Sequence, residues 1–368
     1  GGKSGPGLVP GDARGSLILA KVTAADESER MPLEAGALSP EEIELLRKWI
    51  DSGAKSPEAE QPMKDPKTWW SYQPLIRPEL PENSKGENPI DVLISEKREQ
   101  HGVQPVARAE PAVLLRRVYL DLIGLAPSRE ELHRFLANDS PDAFEEVVDD
   151  LLARPQYGER CGRHWMDVWR YSDWYGSRGG NEIRYSQRHI WRWRDWIIQS
   201  LNEDKGYDQM IREMLAADEI SGGDPGILPA SGYLGRNWYV FDRNVWMFET
   251  VERTGEAFLG LTLRCCRCHD HKFDPITQQE YYRFRAFFEP HDVRTDPISA
   301  MTGTQKDAKA GQVPNDGIAL VYDKHLDRPT YRFQRGDGRY PDESKPLAPG
   351  VPAALGGEVE IQPVELPP

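Results

Sequence analysis

The sequence predicts a mainly α chain with a short β-containing tail. Three observations carry that prediction. Apolar residues recur at helical spacing through most of the chain up to about residue 290. Helix-start signatures repeat along the same stretch: Ser39-Pro40-Glu41-Glu42, Ser128 to Glu131 and Thr277 to Glu280 each read as a capping box. Strand-type alternation appears only near the end.

Residues 1–57 read as a small unit of their own. Pro40 takes the first helical position, and Leu38 and Ile43 are placed for a hydrophobic staple. Ile43, Leu46 and Ile50 share one helical face, with Leu45 and Trp49 beside them, and Gly53 ends the helix. Arg30-Met31-Pro32 precedes it as a turn with an exposed-looking methionine. Residues 58–90 read as linker, rich in proline and charge without periodicity, with Trp69-Trp70 expected to dock it on a core.

Residues 91–292 read as a helical domain. Pro111 opens a helix through Val113, Leu114, Val118, Leu122 and Ile123, which Gly124 ends. A second follows from Ser128. Ser140-Pro141 starts a third, with Phe144, Val147, Val148, Leu151 and Leu152, and Pro155 stops it. His189 to Leu201 and Tyr207 to Ala217 continue the pattern. Val245 to Leu263 reads as a longer apolar-striped helix running straight into a cysteine cluster. The helix from Thr277 carries Tyr281, Phe284 and Phe287. In residues 293–368 the chain turns polar and rich in glycine and proline. There Ile318–Tyr322 and Thr330–Phe333 read as two short strands, and residues 303–316 as a flexible segment.

Composition narrows the function classes. Four cysteines in 368 residues, three of them in one cluster, do not make a disulfide scaffold. A net charge of −14 argues against a nucleic-acid partner. No run of eighteen apolar residues exists, so the chain is not expected to span a membrane.

The chemistry concentrates in Cys265-Cys266-Arg267-Cys268-His269, which reads from its first cysteine as C-x-x-C-H, the pattern of covalent haem c attachment. The outer thiols, Cys265 and Cys268, can add across two porphyrin vinyl groups, and the imidazole of His269 can reach the iron. Cys266 is left without a role. A zinc site needs four ligands and lacks a second cysteine pair, a redox dithiol lacks its βαβ context, and a disulfide across this spacing is uncommon. Those three readings stay beside the haem reading. Arg267, Arg264 and Lys272 are candidates to pair with haem propionates. Asp270, His271 or Asp274 can orient His269 or hold a cation. His164 is the first candidate for a ligand on the far side of the iron and His189 the second, each with the alternative of a hydrogen-bonded histidine in a polar core.

Trp165, Trp169, Trp174, Trp191, Trp193 and Trp196 cluster with Arg163, Arg170, Arg178, Arg188, Arg192 and Arg194. Aromatic core packing with cation–π contacts is the plain explanation. A platform for an anionic polysaccharide or an electron-hopping chain is the sharper one. Gly176 to Gly180 and Ser221-Gly222-Gly223 read as loops. No G-x-S-x-G or H-E-x-x-H pattern supports a hydrolase.

Two resemblances cover nearly the whole chain. Gly5 to Ser56, with Met31-Pro32 and Lys48-Trp49-Ile50, resembles the C-terminal half of the planctomycete-type cytochrome c domain. That resemblance implies Met31 as a thioether axial ligand, although no C-x-x-C-H precedes it in this chain. A second haem would need an upstream segment. Tyr157-Gly158-Glu159-Arg160, Arg163-His164-Trp165-Met166-Asp167, Trp191 to Trp196, and Cys265 to Ile276 are similar to the planctomycete-specific domain of uncharacterised function found behind such cytochrome domains in large secreted proteins.

The implied fold is a helical cytochrome-c-like fragment followed by a mostly helical haem-bearing domain. The tail, with Arg335-Gly336-Asp337, looks like a connector to a further C-terminal domain. The implied setting is periplasmic or extracellular, with a signal removed ahead of Gly1. A chain cut by design would look the same. The expected function is electron transfer, or the redox module of a larger oxidoreductase, served by a redox partner protein or by neighbouring domains. The alternative is a glycan- or surface-binding module with a structural haem.

Overall fold

The computed structural model describes residues 6–26, 29–32, 36–55, 65–81, 86–173, 189–239, 242–297 and 317–356. The chain divides into two compact units, Gly1–Asp65 and Pro66–Pro368. The mainly α expectation holds, with a short β element late in the chain.

The first unit holds α1 (Leu17–Val22) and α2 (Pro40–Asp51). The capping box of α2 forms in both directions: Ser39 Oγ accepts from the Glu42 amide, and a Glu42 oxygen accepts from the Ser39 amide. Ile50, fully buried, packs with Ala13, Leu19 and Val22, and Leu38, Ile43 and Leu46 close over them. Met31 is exposed, and its amide donates to the Lys21 carbonyl at 3.0 Å.

The second unit opens with α3 (Pro89–Gln100), α4 (Pro111–Leu122), α5 (Arg129–Leu136) and α6 (Ala143–Leu152). Leu115, Tyr119, Ile123 and Leu151 form a small core among α4, α5 and α6. Arg154 clamps its edge, 2.8 Å from Glu131 and over the Tyr119 ring. Pro155, expected to stop α6, does so by opening α7 (Pro155–Val168) at its first position, where the missing amide hydrogen costs nothing.

The main core joins α8 (Trp191–Asn202), α9 (Tyr207–Ile220), the short α10 (Gly232–Gly235), α11 (Arg243–Thr254) and α12 (Gln278–Arg285). Trp193, Trp246, Tyr233, Tyr281, Tyr282, Ile197, Met214 and Met247 fill it with almost no exposed surface. Strand β1 (His291–Pro297) pairs antiparallel with β2 (Gly317–Asp323), His291 opposite Asp323.

Two expectations are corrected. The helix foreseen from Val245 to Leu263 ends as an α-helix at Thr254, continues as a π turn over Gly255–Leu259, and breaks at Gly260, whose φ is +64°. Thr330 to Phe333 forms no strand: Thr330 and Phe333 each make one isolated bridge, to Leu347 and Pro341. The actual partner of β2 is β1, which is too charged to read as a strand from sequence. The segments 176–180 and 303–316 lie outside the described residues, as do Trp174, Arg178 and Arg188.

Candidate functional site

The site begins where Gly260 reverses the chain. The Leu261 amide bonds back to the Gly255 carbonyl at 2.9 Å, and Leu263 folds against Gly255, where a methyl group would meet its side chain at 2.6 Å. Leu263–Arg267 then forms a 3₁₀ turn. In this geometry residues three apart lie on one face. Leu263 and Cys266 take the inner face and are fully buried. Cys265 and Cys268 take the outer face and are both exposed, with the Cys268 amide bonded to the Cys265 carbonyl at 3.2 Å.

Burial separates the three sulfurs chemically. The Cys266 thiol lies 3.7 Å from the Ile276 carbonyl, and burial, with Cys265 adding to it, pushes its pKa up to about 12. It stays a thiol at neutral pH. His269 follows on the surface, with Nδ1 2.7 Å from the carbonyl of Asp270. A carbonyl can only accept, so Nδ1 carries the hydrogen; in the neutral ring Nε2 then presents its lone pair, and among the described residues it has no hydrogen-bond partner.

The residues after His269 build the turn that holds it. Asp270 Oδ1 accepts from the Gln278 amide at 2.8 Å and so joins Thr277 in capping α12. His271 Nδ1 accepts from the Asp274 amide at 2.7 Å, which commits that nitrogen as an acceptor. Asp274 Oδ2 lies 3.1 Å from the same nitrogen and gains no proton from it there, while Asp274 Oδ1 accepts from Tyr72 Oη at 3.2 Å. Burial, and then the Asp274 charge, raises the Tyr72 pKa to about 12. The group that orients His269 is therefore a main-chain carbonyl, and the Asp270, His271 and Asp274 side chains have other partners. Among the described residues no group of three or more His, Cys, Asp or Glu gathers to hold a metal ion.

Arg267 turns back to the body, 3.6 Å from buried Glu252 and over the Phe248 ring. Its carbonyl accepts from Gln278 Nε2 and Tyr282 Oη, both at 3.0 Å. Lys272 is exposed, its ammonium over the Phe273 ring. His164 is exposed on α7, and no hydrogen bond or ion pair joins it to His269. His189 is buried. Met31 belongs to the other unit.

Of the tryptophans, Trp169, Trp193 and Trp196 are core, and Trp165 stacks on Trp169 at 5.1 Å. Arg170 pairs with Glu249, Arg192 donates to the Gly317 carbonyl, and Arg194 pairs with Asp195.

Sequence reasoning missed the segment that settles beside Cys268. Gly336, at φ +75°, lies so close that a methyl group on it would sit 2.7 Å from Cys268 Sγ. A cleft of about 500 Å³ opens there, lined by Asn244, Phe248, Arg267, Cys268, Arg335 and Arg339 among others. The glycine in Arg335-Gly336-Asp337 was the available signal.

A mainly α chain with a surface Cys-x-x-Cys-His turn is thus in hand, and one family accounts for most of it. The family described as PSCyt2, protein of unknown function (DUF1549), matches residues 89–293, more than half of the sequence. The chain belongs to that family. No curated protein and no solved structure matches it. No helix among the described residues is long and apolar enough to cross a membrane.

Proposed function

We propose that this chain is a c-type haem protein that carries its haem on Cys265, Cys268 and His269 and serves in electron transfer. One observation carries the reading: the two motif thiols share the solvent face of one turn while the third sulfur faces the core, and Nε2 of the adjacent imidazole has no hydrogen-bond partner among the described residues. The donor set fits the group. Each outer thiol can add S–H across a vinyl double bond, sulfur to one carbon and hydrogen to the other, without an oxidant. The Asp270 carbonyl holds the His269 ring in the tautomer that offers Nε2 to iron, the arrangement that raises a ligand's basicity. When bound, the haem would supply a one-electron couple tuned by its axial ligands and surroundings. Arg267 and Lys272 provide positive charge beside the motif.

Thioether attachment takes place outside the cytoplasm, which sets the reading in the periplasm or beyond, with a redox protein or a neighbouring domain as partner. Within this reading the first unit would be the later half of a cytochrome-c-like domain in which Met31 would bind the iron through its thioether. His164 would be the remaining candidate to bind the iron of the second unit.

The test is production in a host that matures haem c, followed by intact mass and a pyridine haemochrome spectrum. One covalent haem is expected, and it should be lost as a stable adduct in Cys268→Ala. A colourless product with the mass of the bare polypeptide overturns the reading.

A further inference from the structure

Of the three arginines that line the cleft beside Cys268, two have acidic partners and one has none among the described residues. Arg267 has Glu252 at 3.6 Å, and Arg339 holds Asp337 through three contacts of 2.6 to 3.1 Å. Asp242 Oδ1 accepts from the Asn244 amide and caps α11. Arg335 is different. It lines the cleft, is exposed, and makes no hydrogen bond or ion pair with the described residues.

Its backbone lies in the left-handed region, at φ +52° and ψ +26°. A bulky side chain rarely stays there unless its surroundings hold it, and such residues cluster at ligand sites. The surroundings do hold it. Gly336 rests on Cys268 and Arg267, and Gly338 on Asn244, where a methyl group would lie 2.5 Å from Nδ2. Gln278 Nε2 ties the carbonyl of Phe333 to that of Arg267.

Asn244 offers a second donor to the same space. Arg285 donates to its Oδ1 at 2.8 Å, which fixes the amide so that the Nδ2 hydrogens, bonded to nothing in the described residues, remain. A guanidinium fork and an amide N–H₂ lining one cleft match the two oxygens of a carboxylate.

We propose that this cleft is a carboxylate-binding subsite anchored by Arg335, with Asn244 as its second donor. The carboxylate belongs either to a free solute such as a uronic acid or to the haem itself. The second source rests on the haem reading above, and the first does not.

Two arms separate the sources. In the first, the full chain is titrated calorimetrically with D-glucuronate, with D-glucose as the neutral control. Saturable binding of glucuronate alone is expected, weakened about tenfold or more in Arg335→Gly. In the second, the haem-loaded chain is titrated for midpoint potential against pH. Arg335→Gly should keep its haem while its redox-linked carboxylate ionisation moves up by about one pH unit or more, as happens when a paired cation is removed. Arg335→Lys should lie nearer wild type in either arm. Arg332→Gln, which loses only its pairing with Asp342 on the surface, should change neither.

A response in either arm supports the proposal and names the source. Glycine also relaxes the left-handed backbone, so Arg335→Gly should melt no lower than wild type. Silence in both arms, or a melting temperature that falls with loss of the arginine, overturns it. Haem absent by mass, together with glucuronate binding that needs Arg335, would leave this subsite standing while the haem reading fell.

Discussion

Cys266 differs from its neighbours only in where the turn points it. In haem-free chain, brief treatment with iodoacetamide at pH 8 should label Cys265 and Cys268 and leave Cys266 intact, because burial holds it as an unreactive thiol. Peptide mass mapping reads the result, and equal labelling of all three would remove the inward-facing sulfur from this account. Gly336→Ala tests the loop that leans on Cys268. The methyl group would meet sulfur at 2.7 Å on a backbone of positive φ, so a loss of about 1–3 kcal/mol in urea unfolding is expected. An unchanged midpoint would show that the loop yields freely. The cysteines and His269 were legible in the sequence because their spacing is local. The Asp270 carbonyl was not, since any residue could supply it, and Gly336 was not, since it arrives 68 residues after Cys268.

Among the elements, α7 and α8 meet through glycines. At Gly158 a methyl group would lie 2.4 Å from the Ile198 carbonyl oxygen and 2.7 Å from the Asn202 side chain, which bonds the Gly158 amide. At Gly162 the nearest atoms stand at 3.4 Å or more. Gly158→Ala should therefore cost about 1–3 kcal/mol. Gly162→Ala should be neutral or stabilising by up to about 1 kcal/mol through helix propensity. Similar unfolding midpoints for the two variants would contradict this packing.

Helix starts were the most readable elements. The boxes at Ser39, Ser128 and Thr277 all close in both directions, because a cap is decided by four consecutive residues. Helix ends were less so. Apolar spacing runs on through Phe258, Leu261 and Leu263, but burying Leu263 against Gly255 requires the chain to turn at Gly260. Strand pairing was the least readable, since β1 is polar and owes its place to a partner beyond its own sequence.

For the molecule as a whole, pH acts through the end of the sheet. The Asp323 amide donates to Asp218 at 3.1 Å, and His291 Nε2 lies 3.5 Å from Asp323. Burial, followed by the charges of Asp218 and Glu219, raises the Asp323 carboxyl to about 6, and burial raises Asp218 and Glu219 as well. A raised acid binds its proton more tightly when folded, so its contribution is full below about pH 4 and is lost as pH climbs through 6. His291 is pushed down to about 4 by burial and then by Arg243, so its contribution is lost as pH falls from about 6.5 toward 4. Asp323→Asn should therefore raise the melting temperature at pH 8, with the gain vanishing near pH 4. A gain that persists at pH 4, or none at pH 8, would show that this carboxylate carries no such penalty.

The placement of Gly336 against Cys268 also has a consequence in time. A ribosome delivers the chain from its first residue onward, at about 5–20 residues each second. The glycine leaves the tunnel 68 residues behind the sulfur it will touch, an interval on the order of ten seconds at the slower pace. Throughout that interval Cys268 lacks the Gly336 neighbour it has in the finished fold. The order of birth along the polypeptide thus separates an early state of the Cys265–His269 turn, without Gly336 beside it, from the finished one.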